Sequence, residues 1–149
     1  MNQSINLIIY GEVLFDCFPD GNQVLGGAPF NVAWHCQAFG LSPLLISRTG
    51  NDKLGEQILR AMQDWGMNIS GIQLDNKHAT GVVDIQFNHG EPSYTIVENS
   101  AWDFIDYKNQ VQNAVLVSKE GFRLDWEFQN YNHVLNFLDK NDYPDILDY

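Results

Sequence analysis

An α/β fold, in which a parallel sheet with crossover helices carries a small inserted β-hairpin, is what this sequence predicts. Three observations carry that expectation. Strand-like and helix-like segments alternate as far as Gly66, the helical segments repeat apolar residues every three or four positions, and a turn cluster joins two more strand-like runs between residues 80 and 98. With 149 residues, 44% of them hydrophobic and 13% aromatic, the chain suffices for one ordinary core, which at this size hides roughly 70% of the surface an unfolded chain exposes. Such a content of apolar side chains can offset the entropy of ordering, so disorder is excluded.

The run "INLIIY", residues 5–10, is continuous, apolar and rich in β-branched residues, as a strand buried on both faces requires, and Gly11 ends it. "EVLFDCFP" continues extended, "DGN" supplies a turn and "QVL" a short return strand. From Pro29 to Phe39 the residues Phe30, Ala33, Trp34 and Ala38 follow helical spacing, Pro29 suits the first turn and Gly40 the stop. "SPLLISR" is the next strand. "NDKLGEQILRAMQDWG" then gives a second helix, with Leu54, Ile58, Ala61, Met62 and Trp65 on one face and Gly66 beyond it. After "SGIQLDN" the pattern changes: "TGVVDIQF" and "PSYTIV", joined by "NHGE", predict an antiparallel hairpin. Eleven of the twelve glycines precede residue 100, which marks a second change of character beyond Tyr107. There "AVLVS" is a candidate strand, Leu124, Phe128, Tyr131, Leu135 and Leu138 trace a helical face, and the tail is acidic.

A formal net charge of -11, with an isoelectric point near 4.4, repels nucleic-acid backbones and anionic membranes and excludes both as partners. No basic residue precedes Arg48, so the charged start of a secretory signal is missing and a cytoplasmic location is expected. Cys17 and Cys36 lack CxxC spacing and read as inert, reduced residues. His35, His78, His89 and His133 are scattered without ligand spacing, so no metal site is expected.

The stretch "GGAPFN" places Gly26 and Gly27 directly before a helix. A glycine pair lets backbone approach a ligand closely, and a helix start offers free N–H groups. Asn31, in the first turn, both donates and accepts. Upstream, Asp16 lies among Leu14, Phe15, Cys17 and Phe18; a carboxylate there needs a partner, and two adjacent sugar hydroxyls are one such partner. Each residue also has a plainer role: Gly26 and Gly27 as a turn, Asn31 as a cap, Asp16 as an exposed strand residue. Neither GxGxxG spacing nor a GK[ST] ending is present, so the stretch is not a nucleotide phosphate loop.

Residues 26–55, "GGAPFNVAWHCQAFGLSPLLISRTGNDKLG", resemble the N-terminal signature of the ribokinase-like (PfkB) carbohydrate kinases, including a G-x-D-x-x-G step at Gly50, Asp52 and Gly55. "GEVLFD", with Gly11 and Asp16, is similar to the family's first strand, and "ATGVVDIQFNHGEPSYTIVENSAWDFI" resembles its β lid, with the fructokinase-like branch nearest. The resemblance covers residues 5–107. It implies a Rossmann-like parallel sheet of the ribokinase-like kind with a β-hairpin lid, and an enzyme that moves the γ-phosphate of ATP, with Mg, onto a sugar hydroxymethyl group. By the same resemblance Asp16, Gly26, Gly27 and Asn31 hold sugar hydroxyls, and a lid built from residues of about 12–25 and 80–98, with Glu98, closes over the sugar to exclude water.

The departure from the family is equally informative. Its second signature, an Asp-Thr-x-Gly-Ala-Gly-Asp loop that supplies the anion hole and the catalytic base, does not occur in these 149 residues. Family members are about twice as long, and their ATP site lies in the other half. Residues 1–107 therefore read as the sugar-binding part, and 108–149 as a divergent segment with one amphipathic helix. The expectation is a truncated kinase with no catalytic residue of its own, binding neither ATP nor Mg strongly and inactive alone, because phosphoryl transfer depends on positioning and charge stabilisation. Two other readings stay open: a non-catalytic sugar-binding module, and an interaction module that forms a homodimer through its lid.

Overall fold

The structure, a computed structural model, describes residues 7–106 and the backbone of residues 124–125. In chain order, β1 is Leu7–Tyr10, β2 Leu14–Cys17, β3 Gln23–Gly26, α1 Ala28–Ala38, β4 Pro43–Gly50, α2 Lys53–Asp64 and β5 Ile72–Asp75. They are followed by β6, Gly81–Asn88, β7, Glu91–Ile96, a single 3-10 turn at Ala101–Phe104, and β8, Leu124–Asp125.

Among the described residues two four-stranded sheets result. The core sheet runs β5-β4-β1-β8 and the second sheet β3-β2-β6-β7. Every pairing in the core sheet is parallel, with Ile9 beside Leu45, Thr49 beside Leu74 and Ile8 beside Leu124. Ile8, Ile9, Leu45 and Ile46 are fully buried, which is why β1 and β4 are unbroken apolar runs. The parallel α/β architecture expected from the alternation is present.

Both helices cover this sheet. Phe30 and Ala33 of α1, with Ile58 and Met62 of α2, join Ile9, Val13, Phe15, Leu45 and Met67 in one cluster. Trp34 stacks on Trp65 with ring centroids 5.3 Å apart, and the Trp65 indole N–H donates to the Trp34 carbonyl. Two of the apolar positions expected to face the core do not: Ala38 is exposed, and Trp65 is 41% exposed. α1 ends at Ala38 and α2 at Asp64, so Ala38 is the last helical residue and Trp65 lies just beyond its helix. Gly40 and Gly66 follow as helix stops, with Leu41 N–H on the Cys36 carbonyl and Met67 N–H on that of Met62.

The second sheet, here the lid sheet, contains the hairpin of residues 80–98 that the family resemblance likens to a β lid. Its β6–β7 hairpin turns through His89 and Gly90, both at positive φ, the conformation a two-residue type I′ turn demands. Phe87, Tyr94 and Ile96 are all more than half exposed. Cys17 and Cys36 are free, half-buried thiols.

Leu124 and Asp125 correct the reading of a helix from Leu124: they form β8, parallel to β1. A free edge of β1 carries unpaired N–H and C=O groups, and a strand partner satisfies them irrespective of the local apolar period. The remainder of that helix, the "AVLVS" strand and the acidic tail lie outside the described residues. Among the described residues no helix is long and apolar enough to cross a membrane.

Candidate functional site

The chain leaves the core sheet at Gly11, whose N–H donates to the Ile46 carbonyl at 3.2 Å. Asp16 therefore lies on β2, a lid strand, and not on the first strand of the core. Across the lid sheet Asp16 is in register with Val24 on β3 and Val83 on β6, and Val83 with Ile96 on β7. In-register neighbours share a face. One face of the lid holds Phe15, Leu25 and Val82, which pack into the main core. The opposite face holds Asp16 together with Leu14, Val83 and Ile85, which form their own small cluster with Phe18.

Asp16 is half-buried. A Cβ on Gly26 would stand 3.2 Å from its Oδ2, so the glycine leaves the carboxylate room on one flank. Among the described residues no hydrogen bond or ion pair holds the Asp16 side chain. The structure thus brings Asp16 and Gly26 together.

Gly27 has φ 105 and is the N-cap of α1, a conformation that costs a side-chain-bearing residue free energy. An added Cβ would also lie 2.9 Å from the Glu12 carbonyl oxygen. The Glu12 side chain is buried, and its Oε1 accepts the Ala28 N–H at 2.7 Å. A carboxylate sixteen residues upstream thus caps α1 and faces the positive end of its dipole. Asn31 is exposed in the first turn and makes no capping bond. Glu98 is exposed in the turn after β7, where the Val97 N–H continues the ladder to the Val82 carbonyl.

The Gly50, Asp52, Gly55 step has a different task. Asp52 is the N-cap of α2, its Oδ1 accepting the Gly55 N–H at 2.9 Å. The same carboxylate accepts both the N–H and the hydroxyl of Thr80, at 2.8 and 2.7 Å. Thr80 Oγ1 also accepts the Gly50 N–H at 3.1 Å and lies 2.9 Å from Thr49 Oγ1. A Cβ on Gly55 would fall 2.0 Å from the Gly50 carbonyl oxygen, so that position tolerates only glycine. Burial alone would raise the Asp52 carboxyl, but the bonds from Thr80, Gly55 and Leu54 outweigh it and hold the pKa below its ordinary value.

Asp75 closes β5 in the same manner. It is buried, with Oδ1 accepting the N–H groups of Lys77 and His78 and Oδ2 lying 2.9 Å from His78 Nδ1 and 2.8 Å from Arg48 Nε. Its desolvation is overcome by the His78 ring, these two amides and the Arg48 charge, so its carboxyl stays far below the usual range. The His78 ring stacks on Phe104, 3.7 Å away, and the Arg48 guanidinium donates to the Phe104 carbonyl. Glu12, Thr80 and Asp75 were not legible as site builders. Glu12 and Thr80 work on segments distant in sequence and Asp75 joins its own turn to the distant Arg48, and the one local signal was a charged or polar residue beside an apolar strand.

An α/β core bearing a second, four-stranded sheet among the described residues, with a glycine pair opening a helix beside the Asp16 carboxylate, matches the ribokinase-like sugar kinase fold. The family model described as pfkB family carbohydrate kinase matches residues 9–148, and the chain belongs to that family. An uncharacterised sugar kinase of Pyrococcus horikoshii is 30% identical over 112 residues, which make up 75% of this chain and 32% of that protein. Its crystal structure in complex with ATP superposes with a TM-score of 0.75 at 23% identity, covering 92% of this chain and 50% of that one. Escherichia coli fructokinase is 30% identical over 105 residues, 67% of this chain and 34% of that protein. A fructokinase of Vibrio cholerae with fructose, ADP and calcium bound matches with a TM-score of 0.60 at 20% identity, over 83% of this chain and 51% of that one. The chain spans about a third of the length of these curated relatives.

The two described helix starts do not fit the phosphates of ATP. The N-termini of α1 and α2 already face the carboxylates of Glu12 and Asp52, which repel an anion where a helix start would otherwise attract one. Among the described residues no three His, Cys, Asp or Glu side chains converge as metal ligands.

Proposed function

We propose that this chain is the sugar-binding part of an ATP-dependent kinase acting on fructose or a similar sugar. The observation that carries the reading is Asp16: a half-buried carboxylate on the lid, flanked by the Cβ-free Gly26 and held by no side-chain bond among the described residues. An ionised carboxylate in that setting accepts two adjacent hydroxyls and is stabilised by them. Gly26 and Gly27 let the sugar approach the backbone, Asn31 and Glu98 supply further polar contacts, and the lid strands between residues 12–25 and 80–98 cover the ligand. The names of the relatives support fructose as the first sugar to test. The 149 residues by themselves bind and do not phosphorylate, because they contain neither the second family signature nor a described site for phosphate.

Calorimetric titration of the 149-residue chain with fructose tests this, with Asp16→Ala as the paired variant. Saturable binding that drops at least about tenfold in the variant is expected, the scale of losing charge-assisted hydrogen bonds. Equal affinity in both proteins, or no binding by the folded chain, rejects the assignment.

A further inference from the structure

We infer that Asp52 and Thr80 are positioning residues for the lid: together they anchor its central strand to the core and so set where Asp16 stands. This deepens the sugar-binding reading and rests on it for the role given to Asp16.

Thr80 immediately precedes β6 and is buried. Its N–H and hydroxyl both end on the Asp52 carboxylate, and its Oγ1 accepts the Gly50 N–H from the end of β4. The start of the lid strand is thereby tied to the core sheet and to the first turn of α2 through one side chain. No room is left for slippage, since a Cβ on Gly50 would stand 2.3 Å from Asp52 Oδ2 and 2.5 Å from the Thr80 nitrogen.

The return path is held at the same level. The Ala101 N–H donates to the Ala79 carbonyl at 2.8 Å, and Ser100 with Asp103 forms a capping box on the following turn. A Cβ on Gly81 would lie 2.6 Å from the Trp102 ring, so β6 leaves the core against a fixed aromatic wall. From that root β6 pairs in parallel with β2, Gly81 beside Leu14 and Val83 beside Asp16. Register is transmitted residue by residue along a ladder, and a shift at the root moves every partner. The position of Asp16 relative to Gly26 is therefore set from Thr80 as well as from the β2–β3 hairpin.

Thr80→Val tests this without removing the backbone donor, and Thr80→Ser restores the hydroxyl. Hydrogen exchange is read on amides of β6 and β7 against those of β1 and β4, together with fructose titration. The expected result for Thr80→Val is about tenfold faster exchange in the lid with the core strands unchanged, and about tenfold weaker fructose binding, the scale of one or two lost hydrogen bonds. Thr80→Ser returns both to the parent values. Lid and core accelerating together, or neither changing, overturns the anchor, because a merely stabilising residue acts on both. Unaltered fructose affinity in a Thr80→Val chain with a loosened lid overturns the link to Asp16. If the parent chain binds no fructose, the sugar reading fails, and the exchange measurement still decides the anchor.

Discussion

At the start of α1 a carboxylate from the preceding loop does the work that a capping side chain usually does from the helix itself. Gly27 has no side chain to offer, and Glu12 accepts the Ala28 N–H in its place. Glu12→Ala leaves that N–H without its acceptor and should lower stability by about 1–2 kcal/mol, the scale of a lost helix cap. Gly27→Ala forces a Cβ towards the Glu12 carbonyl at an unfavourable φ and should cost about as much, about 1–3 kcal/mol. Urea denaturation of both variants measures these losses, and a Glu12→Ala change of under about 0.5 kcal/mol, the range of ordinary surface substitutions, would reject the capping role. The glycine pair was legible because it is contiguous and precedes a helical apolar pattern. Glu12 was not, since no local rule links a residue to a helix that begins sixteen positions later.

The turns between elements are tied by carboxylates, and this makes the junctions β4–α2 and β5–β6 sensitive to acid. Asp52 and Asp75 both titrate below the ordinary value of 3.8 in the folded chain. The unfolded chain consequently binds protons first as pH falls, so their stabilisation is complete above that value and disappears as pH drops through the folded-state pKa of each. Denaturant midpoints should be flat from about pH 7 to 5 and fall steeply below about pH 4. Asp75→Asn should be less stable at neutral pH and show a shallower acid limb; parallel pH curves for variant and parent would show that Asp75 contributes nothing to it. Most elements were visible in the sequence, because α1, α2 and the β6–β7 hairpin carry their own period, cap or turn chemistry. Strand β8 was hidden, since the edge of β1 that recruits Leu124 and Asp125 is far away along the chain.

For the whole molecule, the lid is not a continuous piece of chain. Its central pair joins β2, which precedes α1, to β6, which follows β5, so the core crossovers lie inside the loop that this pair closes. Closing a loop is entropically costly until its interior is ordered, and long-range parallel pairing is slow. Strands β1, β4 and β5 of the core sheet should therefore assemble before the face that carries Asp16, with the still more distant β8 joining β1 later. In stopped-flow refolding, Val83→Ala should speed unfolding and leave the folding rate within about twofold, whereas Leu45→Ala should slow folding; the opposite pattern would place lid formation early. A nascent chain on the ribosome would then complete the face that carries Asp16 only after residues 81–96 have emerged and docked back onto a segment made long before. Until that moment the β2–β3 hairpin offers an unpaired β2 edge, which makes β2 the natural point of attachment for a chaperone or for a mispaired strand.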